Sequence, residues 1–288
     1  MNTQQIAILR WYAANLTTQI TVGNKPLDVV FDGENIWVVN SASNNVTKLR
    51  AGDCAILGTF PVGNGPLALA FDGANIWVAN HNSNNVTKLS AADGTLVGTF
   101  NVGNDPAGIA FDGANIWVAN HLDNTVTKLQ ASNGAALGTF AVGGEPEGVA
   151  FDGTNIWVAN TTTNNVTKLL ASTGAVLGTF AVGNFPCALA FDGSNMWVAN
   201  ASDNTVTKLK GDGVSLGVFA VGAEPFGLAF DGSYIWVANS STANVTKLRA
   251  SDGAFVGTFA VGNFPTAVAF DGASLWVTNE TNNTVSKL

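Results

Sequence analysis

The sequence predicts an all-β fold: a seven-bladed β-propeller of four-stranded antiparallel blades, closed by an N-terminal outer strand in the last blade. Three observations predict it. A unit of about 40 residues recurs seven times, marked by Phe-Asp-Gly at Phe31, Phe71, Phe111, Phe151, Phe191, Phe230 and Phe270. A Trp follows each Phe six residues on, from Trp37 to Trp276, and the copies are 40 residues apart except for one step of 39. Each unit also holds four short runs rich in β-branched and aromatic residues between turn clusters, with no convincing helical period. Periods of this size belong to solenoids, propellers or arrays, and four short strands per unit fit a propeller blade.

The elements follow in order. Residues 1–12 lie outside the repeat and are read as an N-terminal extension, with Trp11 expected to pack against the strand that follows. Residues 13–22 are assigned as the closing strand. The last unit stops after its third strand, and the run from Asn15 to Val22 aligns with the fourth-strand register of the other copies. The second unit shows the grammar of the rest. Its first strand, over 67–71, alternates Leu69 and Phe71 with Ala68 and Ala70, so a large face of one blade can meet a small face of the next. Asp72-Gly73-Ala74-Asn75 turns into the second strand, over 76–79; the Asp is expected to accept turn N–H groups and Trp77 to pack between blades. A polar loop over 80–84 leads to the third strand, over 85–89. The Lys of that strand, repeated from Lys48 to Lys287, reads as a solvated head on a packed stem, with the turn aspartates as its expected partners. Asp93-Gly94 turns into the fourth strand, over 96–102, and Gly103-Asn104-Asp105-Pro106 crosses to the next unit. Pro61, in the fourth strand of the first unit, suits an edge where a missing N–H harms no ladder. The whole chain, 1–288, is read as one domain.

Composition narrows the partners. Charged residues are 11% of the chain and the net charge is −8, which argues against nucleic acid or an anionic membrane as partner. No apolar run is long enough to span a bilayer. The first ten residues lack the basic and apolar pattern of a signal peptide; a secreted or periplasmic location requires a leader already removed, and otherwise the expectation is cytoplasmic. Cys54 and Cys187 fall in units that are not neighbours, so no disulfide is expected. The expected state is a monomer.

Residues that break the repeat locate the candidate site. Antiparallel geometry places the loops between second and third strands beside the crossings, at one end of the ring. Variation concentrates there, and so do acidic and aromatic residues. The candidate ligand-binding mouth comprises Asp28, His81, Asp105, His121, Asp123, Glu145, Glu147, Phe185, Glu224, Phe226, Phe264 and Glu280. It suits a cation or a cationic, partly apolar ligand. The leading expectation is a non-enzymatic scaffold that binds a small ligand, cation or protein at this mouth without a cofactor. An alternative is a metal-dependent lyase or lactonase, with a divalent cation on Asp105, Glu145 and Glu147 and His121 as general base. A third is a uniform amplified or engineered repeat with no evolved ligand.

The run Ile76-Trp77-Val78-Ala79-Asn80, followed by Asn84-Asn85-Val86-Thr87-Lys88-Leu89, resembles the YVTN-type propeller repeat, and the likeness extends over all seven units. The stretch from Asp72 to Trp77 is also similar to the blades of virginiamycin B lyase-like and NHL propellers. The resemblance implies a propeller. YVTN-like proteins are often surface, secreted or periplasmic binding modules, and the lyase-like group uses a metal and a His with Glu near the channel mouth. No catalytic residue of that group is carried over to a position of this sequence.

Overall fold

The computed structural model describes residues 18–288. It is a ring of seven four-stranded antiparallel sheets, and in six of them the strands follow chain order from the channel outward. Blade 2 is typical: Pro66–Phe71, Asn75–Asn80, Asn85–Ser90 and Leu96–Asn101. Blade 7 combines Pro265–Phe270, Leu275–Asn279 and Thr284–Lys287 with Thr18–Thr21 as its outer strand. Thr18 lies opposite Lys287 and Thr21 opposite Thr284 in an antiparallel ladder, so the N-terminal segment does close the ring. Trp11, the proposed extension 1–12 and the start of the closing strand lie outside the described residues. Pro61 ends an outermost strand, as its missing N–H requires.

Blades interlock by size. Leu69 and Phe71 pack toward blade 1, against Trp37, Val39 and Val46. Ala68 and Ala70 face the other way, toward Ile109, Ile116 and Phe111 of blade 3. Each repeated Trp fills the gap to the next blade and is buried; truncating one to Ala in such a setting costs about 3–5 kcal/mol. In all seven blades the Trp indole donates to the aspartate of its own Phe-Asp-Gly at 2.7–2.8 Å. The other oxygen of that carboxylate accepts the turn N–H groups, such as Ala74 and Asn75 on Asp72. Burial pushes the Asp72 carboxyl up, but the Trp77 indole and the turn donors outweigh it and hold it below the usual aspartate value.

The repeated lysines correct the sequence reading. Lys48, Lys88, Lys128 and Lys208 are only 4–6% exposed, so they are not solvated heads. Each ammonium sits 4.9–5.0 Å from the centroid of its own blade's Trp ring. It donates at 2.6–2.7 Å to a carbonyl oxygen in the following blade: Ala91, Ala131, Ala171 or Ala250. Lys287 reaches Ala51 in the same way and ties blade 7 to blade 1. Only Lys208 comes within ion-pair range of a turn aspartate, Asp192, at 3.9 Å among the described residues. A buried ammonium needs acceptors, and here the next blade's backbone supplies them.

Candidate functional site

At one end of the ring the crossings and the loops between second and third strands are hydrogen-bonded together. Ser41 N–H donates to Lys25 O, and Asn24 N–H to the Ser43 hydroxyl. The last crossing residue before the Pro is Lys25, Gly65, Asp105, Glu145, Phe185, Glu224 or Phe264, and all seven have left-handed φ values of 48–60°. At three crossings this kink brings a charged side chain to the loop of the preceding blade. Lys25 meets Glu280 at 3.2 Å, Asp105 pairs with His81, and Glu145 stands 4.0 Å from His121.

Beyond the Pro the ladder to the second strand breaks register, between Pro146 and Val149 in blade 4. Such a bulge re-aims side chains, and the residues after each Pro line a cavity of about 340 Å³ in the channel. Leu27, Leu67, Ala107, Glu147, Cys187, Phe226 and Thr266 form its upper wall. The next ring inward is small apart from Asp28, because the innermost strands converge: a Cβ on Gly108 would lie 2.0 Å from Glu147 O.

Five of the candidate residues line this cavity: Asp28, Glu147, Phe226, Phe264 and Glu280. The others stand on the rim or within the loops. Asp123 clamps a crossing, accepting from Asn104 N–H and the Asn104 amide at 2.7 and 2.9 Å. Glu224 accepts from the Ser241 hydroxyl, and Phe185 is 37% exposed. Asp105, Glu145 and Glu147 do not come together, and no group of three His, Cys, Asp or Glu side chains able to share a metal ion occurs among the described residues. The reason is local. Pro146 separates a kinked residue directed to the rim, Glu145, from one directed into the channel, Glu147, while Asp105 is taken up by His81. The donor set expected for a divalent cation therefore does not form, and His121 faces a rim carboxylate rather than the cavity. Cys187, Leu27, Leu67 and Thr266 also line the cavity; the signal for them was that they share the post-proline position with Glu147 and Phe226.

The three carboxylates in the cavity wall are not equivalent. Asp28 accepts Val29 N–H at 2.8 Å and Leu69 N–H of blade 2 at 2.7 Å. Burial nevertheless pushes it up to about 6, against the pull of those two donors. Glu280 is paired with Lys25. Glu147 has no hydrogen-bond or ion-pair partner among the described residues, and burial alone pushes it up to about 7. Beside it, burial holds the Cys187 thiol well above its ordinary value, and the Glu147 charge raises it further. The thiol is thus neutral, donating to Pro225 O at 3.3 Å, and is a poor nucleophile.

No family model and no curated protein matches the chain. Similar solved structures include hydrazine synthase from Kuenenia stuttgartiensis, with a TM-score of 0.80 at 19% identity over 94% of this chain and 97% of that one. A streptogramin B lyase structure gives 0.81 at 15% identity, covering 94% and 96%. Selenomethionine-substituted virginiamycin B lyase from Staphylococcus aureus gives 0.80 at 15%, covering 94% and 98%. At these identities the likeness is one of fold alone: a seven-bladed β-propeller.

Proposed function

We propose that the chain is a non-catalytic binding propeller whose channel mouth takes up a small molecule carrying a positive charge. One observation carries the reading: Glu147, a carboxylate in the wall of a ligand-sized cavity, has no partner of its own. Holding a half-buried carboxylate without a partner is unfavourable, and a cationic guest offsets that cost. The Cys187 thiol is neutral and already donates to Pro225 O, and His121 stands at the rim rather than in the cavity, which favours binding over catalysis.

The test is calorimetric titration with methylammonium and tetramethylammonium at mildly alkaline pH, where Glu147 is ionised, on the wild type and on Glu147→Gln. The reading expects a saturable heat for at least one cation that the variant loses. Heat that persists unchanged in Glu147→Gln, or no saturable heat with any cation, refutes it.

A further inference from the structure

The cavity wall is divided chemically as well as by charge. Glu147 lies on blade 4. Phe226 of blade 6 and Phe264, at the crossing into blade 7, line the same cavity two and three blades further round the ring. Their rings pair with centroids 6.5 Å apart and a tilt of 35°. Phe264 keeps 36% of its surface exposed and adopts a left-handed φ of 55°, a conformation that is unfavourable for a bulky side chain. At the same position blade 2 has Gly65. Phe226 packs on one side against Cys187, Ala199 and Ala201, whereas Phe264, on its left-handed turn, stands partly open to the cavity.

We infer that the ligand class is an arylalkylammonium: an organic cation whose charged end meets Glu147 and whose aromatic end lies against Phe226 and Phe264. This rests on the cation-binding reading above and narrows it. The orientation follows from which carboxylates are free. Asp28 is held by two backbone N–H groups and Glu280 by Lys25, so the cation has one unclaimed partner, two and three blades round the ring from the rings of Phe226 and Phe264. Leu27, Leu67 and Ala107 complete the apolar wall of the cavity. A bare metal ion leaves that apolar wall uncovered and finds one carboxylate where it needs several oxygen ligands.

The test uses (2-phenylethyl)trimethylammonium, whose charge is permanent, against tetramethylammonium and calcium chloride, by calorimetric titration at mildly alkaline pH. The phenylethyl cation is expected to bind at least about tenfold more tightly than tetramethylammonium, because its ring buries apolar surface. Phe226→Leu is expected to lose roughly three- to tenfold of the phenylethyl affinity and to leave tetramethylammonium unchanged. Glu147→Gln is expected to lose at least about tenfold for both. Wild-type affinity for the permanent cation should also fall as pH drops through about 7 and Glu147 is protonated, and Glu147→Gln should lose that part of the fall, keeping only the part due to Asp28 near 6. Equal affinity for the two ammonium ions, an unaltered Phe226→Leu, or displacement by calcium overturns the ligand class while leaving cation binding standing. No Glu147-dependent binding of any of the probes overturns both.

Discussion

Glu147→Gln is expected to stabilise the ring at alkaline pH and to be silent in acid. An ordinary glutamate carboxyl titrates near 4.5, whereas burial pushes that of Glu147 up to about 7. The folded ring therefore holds this proton more tightly than the unfolded chain does. Below 4.5 both states are protonated and the group has no effect on stability. As pH rises from 4.5 to about 7 it increasingly opposes folding, and above that the penalty is complete. At about 1.4 kcal/mol per pH unit, a dry site would cost about 3 kcal/mol. Water entering the open channel screens the charge and brings the expected penalty to roughly 1–2 kcal/mol. The facing groups do not disturb the comparison. Asp28 also opposes folding as its carboxylate ionises, between 3.8 and about 6, but equally in both proteins. Glu280 keeps Lys25, and Cys187 stays neutral. Urea denaturation of wild type and variant at about pH 4 and about pH 9 provides the measurement. The midpoints should coincide in acid and separate in favour of Gln in alkali. An equal offset at both pH values, or a less stable Gln variant in alkali, refutes the argument, because either requires the wild-type carboxylate to have a compensating partner.

Two further outcomes probe the frame. Lys128→Met keeps the packed stem but removes the ammonium from Ala171 O and from the Trp117 face, and should cost about 1–3 kcal/mol in urea denaturation. Lys210→Met, on an exposed lysine, should stay within about 0.5 kcal/mol. Gly108→Ala places a Cβ 2.0 Å from Glu147 O and should cost about 3 kcal/mol or more. Gly113→Ala meets nothing within 4 Å and suffers only from its φ of 95°, a matter of about 1–2 kcal/mol; equal losses for the two would show that the inner strands are not in contact.

The period and the alternation of large and small residues made the blades readable, since each copy repeats the same packing problem. The closing strand was legible because Thr18–Thr21 follows the register of the other outer strands. The lysines misled because sequence presents a charge without its surroundings. Lys128 bonds a carbonyl 43 residues further on, and only the constant third-strand Lys and the recurring Ala at the next turn hinted at it. In the candidate site, Glu147 and Phe226 were found by their departure from the repeat. Glu145 and Asp105 were grouped with Glu147 because they are close in repeat register. A left-handed residue followed by Pro sends neighbours in sequence to different places, and charge patterning does not encode that turn. Nor could it show that Asp28 is engaged by Leu69 N–H of the adjoining blade.

The seventh blade joins segments about 270 residues apart, Thr18–Thr21 and Thr284–Lys287, and this gives the seal a kinetic meaning. Hairpins within a blade link near neighbours and form within microseconds. Joining these two segments in a free chain costs about 3 kcal/mol more loop entropy than a hairpin does. Stacking of the intervening blades removes most of that penalty beforehand, by bringing the two segments face to face. Closure is therefore expected to be the last event in assembly, fast only when the six preceding blades are in order. In concentrated refolding, the waiting third strand of blade 7 can accept Thr18–Thr21 from another molecule, and strand-exchanged oligomers, seen by size-exclusion chromatography, are the misassembly this closure predicts.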